Sequence, residues 1–434
     1  MLNVLSTRKH KIESENPTVL YFCKPWSRDW PPLPFDYCYP NNDCTINYGG
    51  TEENVRQADV IIFHPVFGCG MQNSEEWMVN MTEWRRPDQL FIFLQWESPE
   101  YHQGSYKYLD GFFNATMTYR SDSTFFTPYS NLALTKLTRY YSARYSQYNP
   151  MPIPIEKLTQ QKLDDYYSNL PDENHELGVI AVISNCRSVY RSRAVRTLEN
   201  LIRWPNGTKA LDVYGRCAEK YQEEPGPGKN ETFQKELGRD PRRVPQVVSK
   251  YKFYLAIENS RCKGYITEKF FDNALLAGSL GIVAGTVRED YEKLAPKDSF
   301  IHADDFGSLE ELAERINFLL NPINKKDYKK YFDWKKRSSF DELEYSELDD
   351  FRDNYGFCKV CALAKRIHKG DRIEHRFESV QKWWFGSEKK FHHSSSMNEG
   401  VCVDSSRRRR RSVESVSDSF FDENDLQVEI TKFL

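Results

Sequence analysis

What the 434-residue chain lacks narrows it first. It contains no run of about 20 apolar residues, the length that carries a helix across a bilayer. Its first stretch, MLNVLSTRKHKIESENPTVLYF, holds no signal-type apolar core. The net charge is only −3, so no global field draws in nucleic acid, and any polyanion site must be local. No Asp-X-Asp pair stands at the end of a predicted strand, which removes the simplest carboxylate hook for a divalent ion. Cys358-Lys-Val-Cys361 has the spacing of half a zinc site, yet no second Cys-X-X-Cys or His pair stands near it.

What is present points elsewhere. Ten cysteines accompany four Asn-X-Ser/Thr sequons, at Asn80, Asn114, Asn206 and Asn230, a combination that predicts disulfides and a secretory-pathway lumen. Aromatic residues make up 14% of the chain, enough to line cores and also to stack on bases and sugars. The length is sufficient for two domains, each with its own core.

The most informative stretch is YKFYLAIENSRCKGYITEKFFDNALLAGSLGIVAG, from Tyr251 to Gly285. Tyr251 to Ile257 reads as a buried strand that ends where polarity begins, at Glu258 and Asn259. Thr267 stands where a helix N-cap belongs, Phe270, Phe271, Ala274 and Leu275 recur at helical spacing, and Gly278 marks the stop. Leu280 to Val283 resumes a strand. In such a βαβ unit the loop after the first strand faces the ligand crevice, where free N–H groups and the helix dipole favour anions. Lys269 is badly placed for helix stability and well placed for a phosphate. A solvated surface lysine is the competing reading, weakened by the crowding of Glu258, Asn259, Tyr265, Glu268 and Lys269 at one turn.

This stretch resembles the signature of the α1,3-fucosyltransferases, glycosyltransferase family ten. ADVIIFH (58–64), FIFLQWESPEYH (91–102), FNATMTYRSDSTFFTPY (113–129), AVISNCRSVYRSR (181–193), VYGRC (213–217), DSFIHADDFGS (298–308) and FCKVC (357–361) follow the family's order and approximate spacing. The resemblance covers about residues 17–365. It implies an α/β fold of the GT-B type, with two Rossmann-like domains facing a cleft. Residues 1–16 are an N-terminal extension, 17–145 the acceptor-side α/β domain, and 146–176, polar and proline-bearing, the interdomain connection. The GDP-fucose-binding domain is expected over 177–327 and a C-terminal helical segment over 328–388. From 389 to 434 the composition of Ser, His, Arg and acidic residues predicts a disordered tail. Within it Arg407 to Arg411 reads as a processing site, an acidic-surface ligand or simply a solvated run.

The resemblance implies inverting transfer of L-fucose from GDP-fucose to a GlcNAc hydroxyl of a glycoprotein or glycolipid glycan. That chemistry needs a base for the acceptor, cations for the departing diphosphate and a nucleoside pocket. Glu97, following the apolar strand Leu90 to Trp96, matches the family's general base; Glu100 stands close enough to compete, and a loop carboxylate capping its own turn is the plainer alternative. Lys269 and Arg191 match the phosphate-binding cations, with Arg193 nearby and Arg187 and Arg196 as rival registers. Tyr265 is expected to donate to phosphate, and Asn259 and Glu268 to hold sugar or ribose hydroxyls. No metal or further cofactor is required, although the family allows Mn²⁺ to stimulate. Asp304 and Asp305 are expected to cap the helix that starts after Ser308, whose Ser308/Glu311 pair reads as a capping box.

Membrane attachment and a Golgi location are what the family leads one to expect, while the missing anchor leaves a secreted or soluble form open. Gly264, where many relatives have Asp, is expected to loosen its loop, and Leu280-Gly281 replaces Val-Pro. Asn114 falls where the family carries a glycan. Linkage is α1,3 or, less often, α1,4. The alternatives are a catalytically silent glycan-binding or assembly partner and, against the near-neutral charge, a basic-tail nucleic-acid binder.

Overall fold

The computed structural model describes residues 4–6, 16–22, 43–64, 75–101, 106–129, 177–218, 244–275, 277–336, 356–373, 376–386 and 401–403. The interdomain connection, the Arg407–Arg411 run and Asn230 lie outside them. The described residues fall into two compact units.

The first unit is built on six strands, β1 (Thr18–Tyr21), β2 (Thr45–Tyr48), β3 (Val60–Phe63), β4 (Leu90–Gln95), β5 (Ala115–Thr118) and β6 (Phe125–Phe126). All are parallel, in the spatial order β2-β1-β3-β4-β5-β6. TVLY, VIIF and LFIFLQ are buried at every position, as continuous apolar runs are when helices cover both faces of a parallel sheet. The helix Gly356–His368 belongs to this unit. A Cβ on Gly356 would come within 2.7 Å of Thr127 Cγ2, so only glycine permits the close approach of the helix start to β6. Cys361 of the helix is bonded to Cys44 and Cys358 is also in a disulfide, which closes the half-zinc-site reading of this pair. Farther on, Trp384 is fully buried against the rings of Phe93 and Tyr119. Asn114 is 2% exposed, and its Oδ1 accepts from Phe91 N at 2.8 Å and Arg85 Nη2 at 2.7 Å. Through these bonds the side-chain oxygen of this sequon asparagine ties β4 to Arg85.

The second unit has five parallel strands, β7 (Leu177–Val182), β8 (Leu211–Tyr214), β9 (Tyr251–Ile257), β10 (Leu280–Ala284) and β11 (Phe300–His302), in the order β11-β10-β9-β7-β8. The period-2 alternation of β9 divides its side chains between two cores. Phe253, Leu255 and Ile257 pack with the helices Val189–Leu201 and Leu309–Leu320, whereas Tyr254 and Ala256 pack with Phe270, Phe271, Ala274 and Leu275. The chain leaves β7 toward β8 and leaves β9 toward β10, so the topological switch point falls between these two central strands, where open α/β sheets bind ligands.

The segment expected as one C-terminal helical unit divides. Tyr328 belongs with the second unit, its hydroxyl donating to Lys252 O at 2.8 Å, while 356–386 lies in the first. Within the segment from 389 onward, Cys402–Val403 forms a short strand antiparallel to Arg261–Cys262. The pairing is fastened by a Cys262–Cys402 disulfide, a constraint that composition does not reveal.

Candidate active site

At the carboxyl end of β9 the next residue, Glu258, is completely buried. Its carboxylate is fully engaged. Oε1 accepts from Thr267 N at 2.8 Å, Thr267 Oγ1 donates to the same carboxylate, and Lys269 Nζ lies 3.1 Å from Oε2. Thr267 is the N-cap expected, its Oγ1 accepting from Lys269 N and also lying 2.9 Å from Lys269 Nζ. The helix that begins here, Glu268–Phe270, continues as a π-turn, Phe271–Leu275, and Gly278 follows at φ 76°. Burial pushes the Glu258 carboxyl up despite the neighbouring Lys269. Burial opposes the Lys269 charge, but Glu258 and Glu268 outweigh it and hold the ammonium above its ordinary value. Glu268 is half exposed, 3.1 Å from Lys269, and despite partial burial that cation keeps its carboxyl below the usual range.

Arg191 approaches from the opposite face of the sheet, on the first turns of the helix Val189–Leu201 that follows β7. It is 3% exposed, with Nη2 donating to Asn185 O at 2.7 Å and Nη1 3.5 Å from Ile257 O. Its Nε has no hydrogen-bond partner, and no carboxylate pairs with it among the described residues. Its charge is near enough to oppose that of Lys269. Ser188, at the N-cap of the same helix, is also buried with an unpartnered hydroxyl. A buried guanidinium bonded to carbonyls alone, beside a helix N-terminus with spare donors, is an arrangement completed by an anion.

The three competing arginines differ in burial. Arg187 and Arg196 are exposed, and Arg191 alone of the three is enclosed. Arg193 is half-buried and lies two residues on, about 200° around the helix, so it is not brought to Arg191. Asn259 is partly buried and Tyr265 is 1% exposed, both on the loop joining Glu258 to Thr267.

Gly264 sits in this loop at φ 71°, and its N–H donates to Thr286 Oγ1 at 2.9 Å and lies 3.1 Å from Asp290 Oδ2. The glycine therefore suits a left-handed turn that is tied down, not the loosening expected. Asp304 and Asp305 do not cap the helix Leu309–Leu320. Asp304 pairs with the buried Arg261 at 2.5 Å and Asp305 with Arg288, while Ser308 Oγ takes the cap by accepting from Glu311 N at 3.2 Å. Glu311 reaches back to Gly307 N at 2.8 Å instead of Ser308 N, so half the capping box forms.

In the first unit Glu97 follows β4, half-buried at the carboxyl end of that sheet. Gln95, itself fully buried, turns its Oε1 to accept from Trp96 N at 2.9 Å and Glu97 N at 3.1 Å, which fixes the backbone that carries the carboxylate. Tyr129 OH donates to Trp96 O at 2.7 Å and supports the same turn. Glu258 and Thr267, seen in the sequence as part of this crowded turn and as its N-cap, were given no bond to Lys269 there. Their signal was a Glu ending a buried strand nine residues before a capping Thr. Among the described residues no group of His, Cys, Asp and Glu is assembled for a metal, and no helix is long and apolar enough to cross a membrane.

Two parallel α/β units, one with a buried arginine and a partly buried lysine at its switch point and one with a braced carboxylate at its strand ends, define a nucleotide-handling enzyme of the Rossmann-like class. Residues 173–383 match the family described as Glycosyltransferase family 10 (fucosyltransferase) C-term, and residues 14–130 match Fucosyltransferase, N-terminal. Alpha-(1,3)-fucosyltransferase 7 of Bos taurus is 29% identical over 371 residues, which span 85% of this chain and 86% of that protein. Glycoprotein 3-alpha-L-fucosyltransferase A of Drosophila melanogaster is 32% identical over 307 residues, 70% of this chain and 49% of that one. A solved DNA-modifying β-glucosyltransferase overlays at TM-score 0.37 and 12% identity, covering 78% of this chain and 98% of its own, a likeness too loose to carry an argument. The chain belongs to glycosyltransferase family 10 and is a fucosyltransferase.

Proposed function

We propose that the protein transfers L-fucose from GDP-fucose, with inversion and in α1,3 linkage, to a GlcNAc hydroxyl of a protein- or lipid-linked glycan. The observation that carries this reading is a pair of cations, the buried Arg191 and the partly buried Lys269, brought from opposite faces of one sheet to its switch point. A glycan hydroxyl is a weak nucleophile, so stabilising the departing GDP supplies much of the rate. Arg191, bonded only to carbonyls, takes diphosphate oxygens with its spare N–H; Lys269 adds a second positive charge, and Tyr265 a hydroxyl. Glu268, the exposed partner of Lys269, turns with Asn259 to sugar or ribose hydroxyls. Glu97 removes the acceptor proton as the C–O bond to GDP breaks and the new glycosidic bond forms on the opposite face.

Secretory-pathway residence, in the Golgi, fits a chain with disulfides at Cys44–Cys361, Cys186–Cys217 and Cys262–Cys402. Incubation of purified protein with GDP-fucose and a panel of glycans, read by mass spectrometry, tests the proposal. A deoxyhexose gained with wild type and lost with both Glu97→Ala and Lys269→Ala is expected, and fragmentation assigns linkage. Folded protein that binds GDP and transfers to nothing would instead indicate a silent glycan-binding or assembly partner.

A further inference from the structure

The chain returns from beyond residue 386 to the loop that joins Glu258 to Thr267. Val401–Val403 lies against it: Arg261 pairs with Val403, Cys262 with Cys402, and Lys263 N donates to Val401 O at 2.8 Å. The Cys262–Cys402 disulfide makes the attachment covalent across 140 residues of sequence. Inside the loop the contact passes onward. Cys262 O accepts from Tyr265 N at 3.0 Å, two residues before Thr267, whose backbone N–H and hydroxyl bind Glu258 and whose hydroxyl meets Lys269 Nζ. On its other side Arg261, 4% exposed, is ion-paired to Asp304, with Nε and Nη1 unpartnered.

We propose that Val401–Val403 is a positioning strap for the donor loop, with Cys402 its fastening residue, and that it sets the affinity for the nucleoside diphosphate part of the donor. The proposal rests on the donor-binding role given above to this loop. Cys402 touches no reacting atom. It acts by restricting the loop, so that Tyr265, Thr267 and Lys269 are held before the diphosphate arrives instead of being ordered by it. The Arg407–Arg411 run lies beyond Cys402, so cleavage there leaves the strap attached.

The test compares full-length wild type with full-length Cys402→Ser, each confirmed as folded by its thermal midpoint. GDP Kd is measured by calorimetry, and KM for GDP-fucose, KM for the acceptor and kcat by steady-state kinetics. Loss of the strap is expected to raise GDP Kd and GDP-fucose KM together by about five- to tenfold, with kcat within about twofold and acceptor KM unchanged. Equal GDP affinity in the two folded proteins overturns the proposal, as does a loss confined to kcat. Should Cys402→Ser not fold, amide exchange in wild type decides. Binding reciprocity requires GDP to slow exchange of the Lys263 amide that bonds Val401, and no slowing on saturation overturns the strap. Wild type that binds no GDP at all instead removes the donor-site reading, and the strap with it.

Discussion

Lys269 Nζ lies 3.1 Å from the carboxylate of Glu258, and Glu258 has no exposure to water. A buried carboxylate of this kind is tolerated because it is paired and fully hydrogen-bonded. Removing the cation alone should therefore cost stability as well as activity. Lys269→Met is expected to lower unfolding free energy by about 3–5 kcal/mol. Lys269→Met/Glu258→Gln, which leaves no buried charge behind, should recover most of that loss and none of the transferase activity. Denaturant titration beside the mass-spectrometric assay separates the two effects. If the double variant is as unstable as the single one, burial of an unpaired charge is not the cause.

Gly285 closes β10 directly beside this pair. A Cβ there would stand 2.6 Å from Glu258 Cγ and 2.9 Å from Tyr265 O, and the second of these is backbone that cannot swing aside. Gly285→Ala is expected to cost about 1–3 kcal/mol and to displace the Glu258–Lys269 pair. GDP affinity should fall with stability, whereas Gly207→Ala, in an open exposed turn at φ 83°, should cost stability alone.

Asp272 lies on the helix turn after Glu268, and burial first, then the Glu268 charge, pushes its carboxyl up to about 7 from an ordinary value of 3.8. The folded value is the higher one, so the folded state binds the proton more tightly. Its contribution is fully present below the ordinary value and is lost as pH rises through about 7. Asp272→Asn should flatten that part of the pH–stability profile and gain on the order of 1 kcal/mol above neutrality, the exposed fraction of the side chain limiting the effect. A variant whose profile between acid and neutral pH parallels that of wild type would show that Asp272 does not titrate there.

Local signals made much of this legible. Tyr251–Ile257, the Thr267 cap and the helix after Ser308 each announce themselves within a few residues, by periodicity or capping chemistry. Lys269 and Arg191 were reached through spacing and resemblance, but only burial separates Arg191 from Arg187 and Arg196. What escaped the sequence depends on distant chain meeting in space. Cys402 finds Cys262, Arg261 takes Asp304 away from a helix cap, and Arg288 takes Asp305. Gly264 was misread for another reason: as a residue it means freedom, and only its φ of 71° and two bonded acceptors make it a fixed turn.

Arg191 gives the sharpest test of the anion site, because it is buried with a spare N–H and without a carboxylate partner among the described residues. Arg191→Lys keeps the charge but loses the planar fork that bonds Asn185 O and still presents N–H to a ligand. It should weaken GDP by at least about tenfold, nearly as much as Arg191→Ala. Arg196→Ala, five residues on and exposed, should leave GDP affinity within about twofold. Calorimetric titration with GDP reads all three. If Arg191→Lys binds as wild type does, a point charge is sufficient at this position and the fork geometry is not what the diphosphate recognises.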